Sequence, residues 1–377
     1  MIRRSKAACG GFAAAAFIVA TLGSAATPTK TATNLDDINL NDTKEDPGYA
    51  TAGEDLARAT GADVVGKPAP LAVMKTIDGQ AIDLGVVYGK KPVYIKFWAT
   101  WCAPCRQQMP AFEKMYESLG DKMQIVAVNI GLSDDEASVR AFRSKYGLKM
   151  PIVIDDGRLG ALFHLGVTPQ HVLIGRDVRF AYVGHADNKS LADAIEAAMS
   201  SKPGAAPAVA TVATAERVFK TGDRVSGLIA TTTSGKKVSL GKSSSGRLRA
   251  VQFFSSWCEW YLEKSRPGTA QNCARTRAEI ESLVAKNPKV DWIGIAGGPW
   301  ATQEDLADCQ KKHKVTIPLA LDKSGALFRS FEIRDIPTIA IIDSAGRLVR
   351  LISPGEKDIA GAIRAAQAGT AGSNGST

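Results

Sequence analysis

The chain is poor in the residues that most often bind metals. It has only 4 His and 6 Cys among 377 residues. A Cys-x-x-Cys pair at 102 and 105 lacks the second ligand pair of matching spacing that a structural zinc site requires. We therefore expect no metal site and no other cofactor. The histidines likewise form no closely spaced pair in the sequence: His164, His171, His185 and His313.

Long apolar runs and clustered positive charge are also missing. After residue 26 no stretch approaches the roughly 20 apolar residues that span a bilayer, so we expect no transmembrane segment in the mature chain. The formal net charge is +9, but Lys and Arg are scattered rather than grouped with aromatic residues. This distribution gives no case for nucleic-acid binding.

The N-terminus has the layout of a secretory signal. A positive start at 3–6 precedes an apolar stretch at 12–22 and a small-residue site at 24–26. We predict a signal peptide at 1–26 that is cleaved before Thr27, with an uncleaved membrane anchor as the alternative. The mature protein would then lie in the periplasm or cell envelope, where disulfides can form.

Compositional breaks divide the mature chain. Residues 27–62 are polar and rich in Thr, Asp and Ala, and we expect a linker that ends in a short helix. Residues 200–216 are almost all small residues and Pro, which is typical of an extended connector. We predict one domain at 63–199, a second at 217–368 and a disordered tail at 369–377.

The two predicted domains repeat one order of segments. Each has an apolar strand ending in Trp-Cys, a helical segment containing Pro, a second strand, an amphipathic helix and an Asp-bearing strand. An Xaa-Pro pair follows in each, at 168–169 and 336–337, before another strand and a closing helix. This order predicts an α/β protein with two tandem folds, each a central mixed β-sheet flanked by helices.

Cys102 and Cys105 stand where a strand passes into a helix. We expect Cys102 at the helix N-terminus with its thiol exposed, where free N–H groups and the positive end of the helix lower the thiol pKa. Three residues of helix bring the two Cα atoms to roughly 5–6 Å, inside the disulfide range. Cys102 is therefore the predicted nucleophile and Cys105 the resolving thiol.

The segment WATWCAPCRQQMP and the later Thr168-Pro169 resemble the periplasmic TlpA and ResA group of thiol-disulfide oxidoreductases. The resemblance covers 63–200 well and 217–368 more loosely, and it implies two thioredoxin-like folds. It also implies that Pro169 is a cis proline that presents the backbone of Thr168 to a substrate strand. The residues expected to support the site or bind substrate are Trp101, Pro104, Thr168, Pro169, Lys96 and Gln108.

Two of these positions depart from the family pattern. Gln108 stands where ResA-like proteins often have Glu, and glutamine can orient a group but cannot titrate. Lys96 stands where cytoplasmic thioredoxins carry a buried Asp, on the same strand face as Tyr94 and Trp98. Lys96 could favour the thiolates, or its ammonium could extend to solvent while its stem packs.

The second domain lacks a Cys-x-x-Cys pair. Its motif is CEWY, which places Tyr261 where the resolving cysteine would stand. Cys258 could act as a lone nucleophile, could bond to Cys273 if the intervening helix breaks, or could belong to an unreactive binding module. Cys309 aligns with Phe142 on the apolar face of a helix, which predicts an inert buried thiol.

These features together predict a thiol-disulfide oxidoreductase. The resemblance implies that it reduces disulfides in exported client proteins, that a membrane thiol reductant supplies it, and that its clients belong to cytochrome c or metal-site maturation. The alternatives are a disulfide oxidase or isomerase and a redox-sensitive scaffold whose second domain captures a partner. Peroxide reduction and copper delivery are disfavoured, because the spacings those activities use are not evident.

Overall fold

The computed structural model describes residues 47–205 and 217–373. We call the first range domain one and the second domain two, and both belong to one compact unit. The predicted signal peptide, residues 27–46 of the first linker, residues 206–216 of the second and the last four residues of the tail lie outside the described residues.

Domain one contains a five-stranded mixed sheet of order β5-β4-β3-β6-β7, in which β3, β4 and β5 are parallel and β6 and β7 are antiparallel to their neighbours. Its elements are α1 (Pro47–Ala62), β1 (Val73–Lys75), β2 (Ala81–Asp83), α2 (Leu84–Val87), β3 (Val93–Trp98), α3 (Ala103–Leu119), β4 (Gln124–Asn129), α4 (Glu136–Tyr146), β5 (Ile152–Ile154), α5 (Arg158–Leu162), β6 (Gln170–Ile174), β7 (Phe180–Gly184) and α6 (Lys189–Ser200).

Domain two repeats this sheet in the order β12-β11-β10-β13-β14, with the same parallel and antiparallel neighbours. Its elements are β8 (Ile229–Thr231), β9 (Lys237–Ser239), β10 (Leu248–Phe254), α7 (Cys258–Tyr261), α8 (Pro267–Lys286), β11 (Val290–Ala296), α9 (Gln303–His313), β12 (Leu319–Leu321), α10 (Ala326–Ser330), β13 (Thr338–Ile342), β14 (Leu348–Ile352) and α11 (Ile359–Ser373). The predicted α/β class with two mixed sheets is confirmed.

The central strand β3 positions the cysteine pair. Its six residues, VYIKFW, are all buried, and β-branched and aromatic side chains of this kind suit a strand covered on both faces. The chain leaves β3 at Trp98 and begins α3 at Ala103, with Cys102 as the N-cap and Pro104 in the first turn. Proline is favoured there because the first helical N–H groups have no partner within the helix.

The corresponding segment of domain two is divided into two helices. The short helix α7 starts at Cys258, and α8 begins again at Pro267. The chain can therefore change direction between Cys258 and Cys273, as the sequence allowed. At the other end of the domain, α11 continues to Ser373, past residue 368, where the second domain was predicted to end.

Helix starts after the second strand of each sheet repeat one local device. Asp135 caps α4 in a reciprocal capping box with Ser138, and Thr302 caps α9 in the same way with Asp305.

Within residues 47–205 and 217–373, no helix combines the length and apolar character needed to cross a bilayer.

Candidate redox site

Cys102 and Cys105 form a disulfide at the start of α3, with their Cα atoms 5.2 Å apart. The distance agrees with the value expected from helical spacing. The Sγ of Cys102 accepts a hydrogen bond from the Cys105 backbone N–H at 3.2 Å. In the reduced state the same N–H can stabilise a Cys102 thiolate, because a sulfur anion accepts such a bond more strongly than a neutral thiol.

Cys102 is not exposed, and that part of the sequence prediction is wrong. Its exposed fraction is 0%, and that of Trp101 is 1%. Domain two covers this end of α3: the Trp257 ring lies 4.9 Å from the Trp101 ring, centroid to centroid, and Tyr261 meets Trp101 edge-on at 6.2 Å. Pro104 is buried as well.

The turn before Cys102 is held by a buried carboxylate, Asp134. Its Oδ2 accepts from the Thr100 backbone N–H at 2.8 Å and from Asn129 Nδ2 at 2.7 Å, and its Oδ1 accepts from Thr100 Oγ1 at 2.5 Å. Arg266 of domain two supplies the cation, with its Nη2 2.5 Å from Asp134 Oδ1. A residue of domain two therefore helps to hold the turn that carries the dithiol.

Lys96 lies inside domain one on β3, the strand that leads to the cysteine pair. Only 1% of it is exposed, so the expectation that its ammonium might reach solvent is wrong. Its Nζ donates to Gln108 Oε1 at 2.8 Å, and Gln108 lies one turn of α3 beyond Cys105. Burial lowers the pKa of Lys96 from 10.5 to about 7, partly offset by the negative charge of Asp187.

His171 extends this network across the sheet, where it pairs with Lys96 in the β3–β6 register. Its Nε2 donates to Gln108 Oε1 and to the His185 carbonyl, each at 3.1 Å, so its Nδ1 accepts from the Tyr94 hydroxyl at 2.7 Å. Burial, together with the charge of Lys96, lowers the pKa of His171 well below its usual value. The imidazole is therefore neutral.

Thr168-Pro169 joins the same network. The peptide bond between them is cis, as the resemblance implied, and the Pro169 carbonyl accepts from His185 Nδ1 at 2.7 Å. Gln108 Nε2 donates to the His185 carbonyl at 3.2 Å. Hydrogen bonds through His185 thus connect Pro169 with Gln108 and Lys96, although Pro169 is far from both residues in the sequence.

Domain two holds a second disulfide, between Cys258 and Cys273. Of the three possibilities that the sequence left open for Cys258, the oxidised chain has the bond to Cys273. Cys309 is a free thiol and only half-buried, so it is more accessible than the alignment with Phe142 predicted. Cys309 and Cys273 line one small cavity of about 30 Å³, which is too small for a protein client.

The charges around Cys309 do not make it a strong nucleophile. Burial raises the pKa of its thiol, and the carboxylate of Glu259 raises it further, while Arg277 and Lys312 act in the opposite direction. Across the two described ranges, no group of three or more His, Cys, Asp or Glu side chains is placed to hold a metal ion.

Sequence reasoning missed several members of the site. His171 and His185 are close in space because β6 and β7 are neighbouring strands, a pairing that spacing along the chain does not reveal. His171 could have been found from strand register, because it lies opposite Lys96. Asp134 and Arg266 carry no motif, and His164 and His313 lie outside the network.

With the geometry described, comparison with known proteins gives a consistent result for domain one. The AhpC/TSA family model matches residues 65–183. The thioredoxin-like protein YneN of Bacillus subtilis is 44% identical over 101 residues, 26% of this chain and 59% of YneN. The thiol-disulfide oxidoreductase ResA of Bacillus thuringiensis is 35% identical over 115 residues, 30% of this chain and 65% of ResA.

Domain one resembles the ResA oxidoreductases. The chain spans less than two thirds of the length of the curated relatives named here. Among solved structures, StoA from Bacillus subtilis is 27% identical and is covered to 97%, against 34% of this chain, with a TM-score of 0.30. The AhpC/TSA match ends at residue 183 and does not reach domain two, so the ResA likeness is stated for domain one.

Proposed function

We propose that this protein is a thiol-disulfide oxidoreductase whose exchange centre is Cys102 and Cys105. The observation that carries the proposal is the disulfide between an N-cap cysteine and a cysteine in the first turn of α3. In this arrangement one thiol can attack a client disulfide, and the second can release the client by closing on the first. The likeness of domain one to ResA supports the same chemistry.

The cycle balances in two steps. The Cys102 thiolate attacks one sulfur of a client disulfide, forms a mixed disulfide and expels the other client sulfur as a thiolate. The Cys105 thiolate then attacks Cys102, restores the disulfide and releases the client with both sulfurs reduced. Two electrons pass from the protein to the client, so a reductant must reduce Cys102 and Cys105 again.

In the finer form of the proposal, the protein is exported and reduces disulfides of proteins in the cell envelope. Its clients are of the kind that need free thiols to receive haem or a metal, and a membrane thiol reductant supplies the electrons. Lys96 and Gln108 support the dithiol from below, and Trp101, Pro104, Thr168 and Pro169 form the surface that meets the client.

The first test uses the reduction of insulin disulfides by the full chain with dithiothreitol as electron donor. We expect Cys102→Ser to lower the rate at least about 100-fold, because the attacking sulfur is lost. We expect Cys105→Ser, once reduced and freed of dithiothreitol, to accumulate a mixed disulfide with insulin that is visible as a covalent adduct on non-reducing gels, because the release step is lost.

Cys309→Ser is the matched control, since it removes a thiol that lies outside this centre, and it should reduce insulin at the wild-type rate. Wild-type activity in Cys102→Ser would show that the exchange takes place elsewhere in the chain. The direction of electron flow is tested by equilibration with glutathione: a potential near or below about −250 mV supports a reductant, whereas one near about −120 mV would make the protein a disulfide donor.

A further inference from the structure

Domain two forms a continuous contact with the dithiol end of domain one. Trp257 packs on Trp101, and Arg266, 1% exposed, inserts into domain one. Besides pairing with Asp134, Arg266 Nη2 donates to Thr100 Oγ1 at 2.7 Å, and its Nη1 donates to the Ser133 carbonyl. The contact thus includes an aromatic pair at Trp101 and a buried ion pair at Asp134, which holds the turn before Cys102.

The loops that meet at this contact follow equivalent strands, β4 and β11. In the first loop the Trp101 indole N–H donates to the Leu132 carbonyl at 2.8 Å, and in the second the Trp257 indole N–H donates to the Pro299 carbonyl at 2.7 Å. The two domains therefore present corresponding surfaces to each other, each formed by a tryptophan and the loop that holds it.

Each of these loops contains one non-glycine residue with a left-handed backbone, Ser133 at φ 52° and Trp300 at φ 70°. Such residues are uncommon because the side chain crowds the backbone. Both donate their backbone N–H across the contact, Ser133 to the Arg334 carbonyl at 2.6 Å and Trp300 to the Gly166 carbonyl at 2.8 Å. The contact between the domains thus holds both loops in a costly conformation.

The contact also buries polar groups at a cost. Ser133 Oγ and Trp300 Nε1, which belong to the two contact loops, are buried and have no hydrogen-bond partner in the part of the chain that the structure describes. A buried donor or hydroxyl without a partner loses its hydration and gains nothing in return. Separation of the domains would hydrate these groups and relieve the strain of the two loops. Both effects favour the open form and so oppose the closed contact.

We propose that domain two is the resident occupant of the client-binding surface of domain one, and that a protein client reaches Cys102 only after this contact opens. The inference rests on the proposed function, since it concerns access to the same dithiol. The partner that fits the vacated surface is an extended segment of a protein disulfide, because exchange requires a sulfur to approach Cys102 Sγ directly. With Cys102 0% exposed, no such approach exists in the closed form.

The test compares insulin with oxidised glutathione as substrates of the reduced full-length protein. Arg266→Met removes the cation that domain two inserts, and Trp257→Ala removes the ring that covers Trp101. Since only the open fraction reacts with a protein, each variant should reduce insulin at least about tenfold faster than wild type. The gain should be smaller with glutathione, which needs less space.

Arg350→Met is the matched control, because it removes an arginine of domain two that pairs with Glu356 away from this contact, and its insulin rate should equal that of wild type. A misfolded dithiol turn would lower both substrate rates rather than raise one. Equal or slower insulin rates in both variants, with glutathione exchange intact, would overturn the occupant proposal and leave the proposed function standing. Absence of glutathione exchange in the wild type and in both opened variants would instead overturn the proposed function.

Discussion

Lys96 is an ionisable side chain enclosed by protein, with Gln108 as its hydrogen-bond partner and the Phe112 ring 5.2 Å from its Nζ. A cation in such a place is disfavoured by lost hydration, and a polar partner and a ring face recover only part of that loss. A group with a pKa of about 7 can hold or release a proton near neutral pH. Lys96 can therefore gain or lose a positive charge inside domain one near neutral pH.

The pH dependence of stability tests this description of Lys96. Between pH 7 and 10.5 the unfolded chain binds a proton on Lys96 that the folded protein does not bind, so folding becomes more favourable as pH rises through that window. Below pH 7 both states are protonated and this contribution is constant. The free energy of unfolding of wild type relative to Lys96→Met should therefore rise by roughly 1.4 kcal/mol per pH unit above pH 7.

Urea denaturation of the oxidised protein at pH 6, 8 and 9 measures this difference. Lys67→Met is the control, because Lys67 is exposed, and its curves should follow those of wild type at each pH. A difference between wild type and Lys96→Met that does not change with pH would mean that Lys96 keeps one charge state over the whole range.

The sequence predicted the residues of this site unevenly. Cys102 and Cys105 were found because their chemistry is local: a strand end, a helix start and a three-residue spacing suffice. Lys96 was identified as a departure, but its partners were not, since His171 reaches it through strand pairing. The burial of Cys102 was missed because contacts between residues distant in the sequence, such as that of Trp257 with the neighbouring Trp101, cannot be read from a local motif.

Among the elements, α7 and α8 of domain two show how a helix start can be rearranged. In domain one, α3 runs unbroken from the cysteine pair. In domain two the first helix ends at Tyr261 and the next begins at Pro267. The disulfide between Cys258 and Cys273 joins the two helices across this break. The bond thus fastens the first helix to the second, where domain one needs no such link.

Removing that link should destabilise domain two. The double variant Cys258→Ser, Cys273→Ser opens a loop with a sequence separation of 15, and loop-closure entropy gives an expected loss of about 3 kcal/mol in the free energy of unfolding. Scanning calorimetry of the oxidised proteins measures the shift, with Cys309→Ser as the control that leaves both bonds intact. An unchanged melting temperature would mean that the break is held by packing alone.

The order of the strands and helices was predicted well because the sequence contains it in two successive repeats. Two segments with the same succession of strand, helix and Xaa-Pro support each other, and both sheets have the predicted mixed character. The helical break in domain two was also anticipated from proline, which cannot continue a helix in the usual way. Helix α1 has 16 residues, whereas the sequence predicted only a short helical stretch. Its length was underestimated because the helix packs on domain one through contacts that are distant in the sequence, such as Glu54 with His185.

For the whole molecule, the main finding is that the two repeats face each other. No sequence pattern predicted this arrangement, because the ion pair between Asp134 and Arg266 joins residues that are 132 positions apart and belong to no motif. This arrangement changes how the role of domain two is interpreted. It lacks a resolving cysteine next to Cys258, yet it places a tryptophan, a tyrosine and an arginine at the reactive end of its neighbour.

A single opening event should expose both loops of the contact together. The backbone amides of Ser133 and Trp300 each donate across the contact, so their hydrogen exchange should share one rate in wild type and rise together in Arg266→Met. Hydrogen exchange with mass-spectrometric readout of peptides covering 131–135 and 298–302 measures both. Clearly different rates would indicate that each loop opens by itself while the domains stay together.

Helix α1 has a practical consequence for anyone who wishes to shorten the protein. Glu54 accepts from the backbone N–H groups of His185 and Ala186, at 2.8 and 2.9 Å, and so secures the loop whose His185 bonds to the Pro169 carbonyl. A truncation at residue 63 would keep every strand that the structure describes, together with Cys102 and Cys105, but would remove this support. The shortened protein would retain its dithiol while the proline beside it lost its anchorage, so recombinant versions should begin before Pro47.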